Sequence, residues 1–131
     1  MTSLTLIVAA VQSGVIGAVS LLVAPTVFHA LEAEDAGRYL RRLFPRYFST
    51  ATVLALVAAV MAVLSGYTIV AFLLAADALC FVLELALIPA INAARDNGDA
   101  RFRRLHGASV ALNGVGLVLA IIAVVMLAGL D

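Results

Sequence analysis

"LLAADALCFVLELALIPAI", residues 73–91, decides the fold. A membrane-spanning helix needs about 20 predominantly apolar residues, and this stretch meets that need while carrying only two charged side chains, Asp77 and Glu84. A charged Asp at the centre of a span costs about 2.5–3.5 kcal/mol on insertion scales. The two acids must therefore face protein or water, or stay neutral.

The rest of the chain agrees with a span. Of its 131 residues, 65 % are hydrophobic and 12 % charged, whereas a soluble domain is about half apolar and a quarter charged. The length suits one transmembrane domain over residues 1–131. Four stretches are long and apolar enough to cross, at about 4–30, 48–66, 68–91 and 107–129. The first has no basic start and a longer apolar run than a signal peptide, so it reads as a retained helix. The expected fold is all-α, an integral membrane four-helix antiparallel bundle.

Charge sets the orientation. Arg38, Arg41, Arg42 and Arg46 fall between spans one and two, and Arg95, Arg101, Arg103 and Arg104 between three and four. Arg-rich short loops stay on the cytoplasmic side. Loops 31–47 and 92–106 are thus expected inside, both termini outside, and the protein in the cell's inner membrane. Net charge is zero, with no basic tail for nucleic acid. Membrane lipids are the expected partners.

Within the first loop, Ala36, Leu40, Leu43 and Phe44 lie at helical spacing with arginines mostly off that face. This suits a short helix in the headgroup layer, ended by Pro45; an ordinary connector is the alternative. In the second loop, Asp96-Asn97-Gly98-Asp99 is a turn signal, and Asp99 is placed to cap the next helix. Small residues let helices approach closely in lipid. Ser13/Gly17 and Gly14/Ala18 in span one, the alanines of span two, and Gly116/Ala120 in span four fit that use. They equally fit the interface of a homo-oligomer.

At 100° per residue, Asp77, Cys80 and Glu84 share one stripe of span three, and His106, Ser109 and Asn113 share one of span four. Glu84 and Asn113 come out at the same depth, and Gln12 lies near the depth of Asp77. Either the acids are protonated hydrogen-bond donors that hold helices together, for example Glu84 to Asn113, or they titrate as a proton or cation site. Pro89 frees the carbonyl of Leu85 beside them. Cys80 reads as a small core residue, since one thiol without a partner makes a poor soft-metal site. With a single cysteine there is no intramolecular disulfide and no Cys-rich metal motif, and no metal or other cofactor is expected. No phosphate loop, dinucleotide fingerprint or HExxH occurs, and Ser109 and His106 lack a third catalytic partner. The chain is not expected to be an enzyme.

"VAPTVFHAL", "AGRYLRRLFPRYF", "IPAINAARD" and "RRLHGASVALN" stand in an order and spacing that resemble the transmembrane-protein-205-like family of small membrane proteins, whose bacterial branch is a domain of unknown function. The resemblance runs over residues 14 to 115 and implies a four-helix integral membrane protein. Its pattern falls on Pro25, Phe28, Gly37, Phe44, Pro45, Tyr47, Pro89, Asn92, Arg95, His106, Ser109 and Asn113. The family is also similar in architecture to small four-helix proteins linked with copper handling and haem-dependent porphyrin oxidation, though architecture does not carry function.

The expectation is a polar pocket facing the cytoplasm, drawn from Glu84, Asn113, Ser109, His106, Asp77 and Asn92. It would bind or conduct a proton, a cation or a small polar solute. A structural subunit of a larger membrane complex is one alternative. A haem- or copper-binding protein, through His106 and His29, is another.

Overall fold

The computed structural model describes residues 1–130 and is helical throughout apart from short connections. Four helices are each long and apolar enough to cross a membrane: α1 (Thr2–Ala30), α2 (Ala33–Leu64), α3 (Thr68–Asp96) and α4 (Arg101–Ala128). Side-chain bonds fix their directions. Thr2, Gln12 and Ser20 of α1 bond, in that order, to Tyr67, Asp77 and Asn113. Gln12 also lies level with Ala51, while Tyr47 is level with Asn113. Numbers rise along α1 and α3 as they fall along α2 and α4, so the helices run up, down, up, down. Each packs on its sequence neighbours, and α1 closes the ring against α4.

The two turns at helix C-termini have the same construction. After α2, Tyr67 N–H donates to Ala62 O (2.9 Å) and Gly66 N–H to Val63 O (3.0 Å). After α3, Asp99 N–H donates to Ala94 O (2.9 Å) and Gly98 N–H to Arg95 O (3.3 Å). This is a Schellman ending, which places a residue in the left-handed region just past the helix. Gly66 (φ 79°) and Gly98 (φ 62°) fill that place. Asp99 then accepts the Arg101 N–H at 2.8 Å, one residue ahead of the cap position. That contact satisfies one otherwise free donor of α4.

Prolines act differently in α1 and α2. Pro25 has no N–H and its ring crowds the carbonyl four residues earlier. The chain responds with one wide turn at Val19–Val23, where Ala24 N–H reaches back five residues to Val19 O. Pro45 was expected to end a short loop helix, yet α2 passes through it unbroken from Ala33 to Leu64. An interior Pro costs about 3 kcal/mol, and here packing on both sides outweighs it. Ala36 and Leu40 bury against Val27, and Tyr47, Phe48 and Ala51 continue the same stripe into the next cluster. Fully burying one large apolar side chain is worth about 1.5–3 kcal/mol, so these residues together exceed the proline's cost.

Small residues pack where α2 and α4 meet their neighbours. Ala51, Ala55, Ala58 and Ala62 are wholly buried, as are Ala120 and Ala123. Span one departs from expectation: a Cβ added at Gly14 or Gly17 would meet nothing within 4 Å. The inward stripe of α1 is Thr5, Ala9, Gln12 and Ile16 instead, and Gly14 and Ala18 lie off that 3.6-residue phase. Outward faces carry Ile7, Val11, Val60, Val118 and Val125, each more than half exposed. Apolar exposure on this scale is foreign to a soluble monomer and fits a small multipass membrane protein.

Candidate functional site

Two polar layers cross the bundle, one above the other. In the deeper layer Gln12 Nε2 donates to Asp77 Oδ2 across the diagonal from α1 to α3, and lies 3.5 Å from Ala51 O. Gln12 and Asp77 are both fully buried. Gly116 makes room for them, since a Cβ there would stand 3.0 Å from Asp77 Oδ1. Gln12 Oε1 and Asp77 Oδ1 have no hydrogen-bond partner among the described residues. Beyond this layer, away from the arginines, lies a plug of Ala9, Ala58, Ala62, Leu74, Ala123 and Leu127.

The second layer is built on the other diagonal. Tyr47 OH of α2 donates to Asn113 Oδ1 of α4 at 2.7 Å, and Asn113 Nδ2 donates to Ser20 Oγ of α1 at 2.7 Å. Ser20 sits inside the wide turn that Pro25 imposes, so a proline five residues away helps aim it. Beside this network Ser109 Oγ donates to Glu84 Oε2. Glu84 is fully buried, and its Oε1 has no partner among the described residues. Leaving a buried polar atom unpaired costs about 1–3 kcal/mol.

This layer floors a cavity of about 590 Å³ that extends to the Arg-rich end. Glu84, Ser20, Tyr47, Ser109 and Asn113 line its depth, and Phe28, Leu40, Phe44, Phe48, Ile88 and Val110 its walls. Arg41, Asn92, Arg95, Phe102 and His106 surround the mouth. Such a mix, mostly apolar with a few convergent polar groups, is the usual composition of a small-molecule site. The rim is braced by Arg41, whose guanidinium bonds both carboxylate oxygens of Asp96, one of them at 3.1 Å. That bond to Arg41 is the main reason Asp96 is held below its ordinary value of 3.8. A depressed carboxylate contributes stability above its unfolded value and loses it as pH falls through the folded one. The α2–α3 brace is therefore expected to hold at neutral pH and release below about pH 4. An Asp96→Asn variant, lacking the charge, should show no such acid step in amide exchange at this end.

Five of the six residues expected in the pocket line one cavity: Glu84, Asn113, Ser109, His106 and Asn92. Asp77 does not line it; it belongs to the deeper layer with Gln12. The expected Glu84–Asn113 bond is not made. The register between α3 and α4 sets Ser109 opposite Glu84, and Asn113 is engaged by Tyr47 and Ser20. Cys80 is buried in the same stripe as the two acids. His29 is exposed, with Nδ1 2.7 Å from the Pro25 carbonyl, and does not line the cavity, whereas His106 stacks on Phe102 with ring centroids 5.6 Å apart. Among the described residues no three His, Cys, Asp or Glu side chains gather as a metal site requires. Ser20, Tyr47 and Arg95 were not among the expected pocket residues. Tyr47 and Arg95 lay on the resembled pattern, and Pro25 was the only local signal for Ser20.

Residues 7–100 match the model of a family described as a domain of unknown function, DUF4149. The chain belongs to the DUF4149 family. The matched span holds Gln12, Ser20, Tyr47, Asp77, Glu84 and Arg95 and ends just before α4, which supplies Ser109 and Asn113. The chain is also similar to an uncharacterised protein of Aquifex aeolicus (strain VF5), 28 % identical over 94 residues, which are 72 % of this chain and 71 % of that protein. No solved structure matches the chain.

Proposed function

We propose that the protein is a multipass component of the cell's inner membrane that binds a small organic solute in the cavity at its Arg-rich end. The solute has an apolar body and a hydrogen-bonding head, and the protein holds or passes it without catalysing a reaction. The observation that carries this reading is Glu84, which lines the depth of a largely apolar cavity and keeps one buried carboxyl oxygen, Oε1, without a partner among the described residues. A solute's head that pairs with it removes the cost of leaving it bare. Guanidiniums at the mouth argue against a metal cation as cargo. The resemblance of its motif order to the transmembrane-protein-205-like family is consistent with a small membrane protein and adds no ligand.

Native mass spectrometry of protein extracted from its own membranes tests the binding. Wild type is expected to carry a small molecule, and Glu84→Gln to hold it about tenfold more weakly, the value of one hydrogen bond to a charged group. Equal occupancy in wild type, Glu84→Gln and Asn113→Ala would remove the cavity from the mechanism.

All eight arginines at one end of the bundle support a cytoplasmic mouth and external termini. In a Cys80→Ala background, Leu130→Cys should react with a membrane-impermeant maleimide on intact spheroplasts. Asn97→Cys should react only after permeabilisation. The reverse pattern would invert the topology and place the mouth outside.

A second reading, assembly into a larger membrane complex, is favoured by the open surface at Gly14 and Gly17 on α1. Co-purification in a mild detergent decides it, since a chain that migrates alone or only with its own copies is not such a subunit.

A further inference from the structure

Arg95 is exposed, and its guanidinium lies over the buried Gly37. A Cβ on Gly37 would lie 3.0 Å from Arg95 Nη2, 3.3 Å from its Cζ and 3.4 Å from its Nη1. A Cβ at 37 would make the guanidinium give by a few tenths of an ångström, and a larger side chain would push it further. The same side chain lines both the main cavity and a smaller one of about 280 Å³ on the outer side of the rim. Its neighbouring carboxylate, Asp96, is engaged by Arg41 through both oxygens. Arg95 itself makes no ion pair among the described residues. Of the two arginines that line the main cavity, Arg41 is paired with Asp96, which leaves the Arg95 guanidinium open to a ligand. Its planar fork of donors matches the oxygens of a phosphate or carboxylate.

The surroundings extend the match. His106 and Asn92 add hydrogen-bonding groups at the mouth, while Phe28, Leu40, Phe44 and Ile88 line the wall below. From Arg95 to Glu84 is eleven residues of helix, about 16 Å. We propose that Arg95, whose guanidinium lies over Gly37 at the cavity mouth, is an anion subsite, and that the molecule taken by the cavity is an amphiphile with a phosphate or carboxylate end group. The inference rests on the cavity reading above and names the ligand class.

The test uses the full chain in neutral maltoside micelles with three probes: decyl phosphate, decanol and inorganic phosphate. Affinities are read from the shift of the unfolding midpoint with probe concentration. Decyl phosphate is expected to bind about tenfold tighter than decanol, one charge-assisted hydrogen bond's worth. Arg95→Gln should bring the two within about twofold, the discrimination being lost with the guanidinium. Gly37→Val, which keeps the charge but pushes the guanidinium aside, should lower the ratio in the same direction. Arg95→Lys restores only part of the ratio, because an ammonium lacks the fork. Glu84→Gln, about 16 Å along the helix from the guanidinium, should leave the Arg95 dependence of decyl phosphate binding intact.

Equal binding of decyl phosphate and decanol to wild type would overturn the subsite while leaving the cavity standing. So would a ratio that survives both Arg95→Gln and Gly37→Val. Arg95-dependent binding of decyl phosphate without any binding of decanol keeps the subsite and defeats the cavity reading. Inorganic phosphate matching decyl phosphate would assign the site to a free anion and overturn the amphiphile. Competition by phosphatidylglycerol in a nanodisc, absent with phosphatidylcholine, supports the subsite with a lipid headgroup as its occupant.

Discussion

Replacing Gln12 with leucine is expected to lower the unfolding free energy by about 3 kcal/mol, the size of effect seen when one partner of a buried polar pair is removed. Leucine fills nearly the same space but cannot donate. Asp77 would then lie fully buried among Gly116, Phe81 and apolar neighbours with neither oxygen paired. The double variant Gln12→Leu/Asp77→Leu should recover most of the loss, because well-packed apolar residues often match or exceed a buried polar pair. The cycle of wild type, two single variants and the double is therefore expected to show a coupling of about 2 kcal/mol, within the range for residues in contact. Unfolding in mixed micelles by added denaturing detergent measures it. If Gln12→Leu alone is neutral, the pair does not tie α1 to α3.

The contrast between the layers and the helices shows what was legible in the chain. Apolar runs announce spans because hydrogen bonding in lipid permits little else, and the Gly98 turn announces itself by composition. The stripe of Asp77, Cys80 and Glu84 followed from helical phase alone, and all three are buried. Partners across the bundle were not legible in the same way. Glu84 meets Ser109 and not Asn113 because interhelical register shifts by a turn with small changes in packing, and periodicity carries no register. Gln12 reaches Asp77 on a diagonal, a contact available only to a long side chain in a narrow bundle. The wide turn at Val19–Val23 changes which residues of α1 face inward, and an ideal 3.6-residue count passes through it unaware. Pro45 misled in the opposite direction, since tertiary packing overrode a local rule. Arg95 read as one more cytoplasmic charge that also fell on the resembled pattern; that it lies over Gly37 is a property of two helices meeting.

Gly116 provides the second large effect, and a neighbouring glycine provides its control. Replacing an interior helical glycine with alanine normally stabilises by about 1 kcal/mol. At Gly114 a Cβ meets nothing within 4 Å, so Gly114→Ala should be neutral to stabilising. At Gly116 the added atom would stand 2.9 Å from Phe81 Cε2 and 3.2 Å from its Cζ, as well as 3.0 Å from Asp77 Oδ1. Phe81 is fully buried, edge-on to Tyr47 with centroids 5.9 Å apart and 6.1 Å from Phe48. It has no free direction in which to yield. Overpacking of this kind costs about 1–3 kcal/mol, enough to reverse the propensity gain. Gly116→Ala is thus expected to fall about 2 kcal/mol below Gly114→Ala, and Gly116→Val about 3 kcal/mol or more. The displacement also travels outward: a shifted Phe81 presses on Tyr47, whose hydroxyl positions Asn113 on the cavity floor. Gly116→Ala should accordingly weaken binding of the cavity's solute although no atom of residue 116 lines it. Equal stability of the two alanine variants would show that α3 and α4 have room to spare at this level, and that the floor of the cavity is not held by the close approach of their backbones.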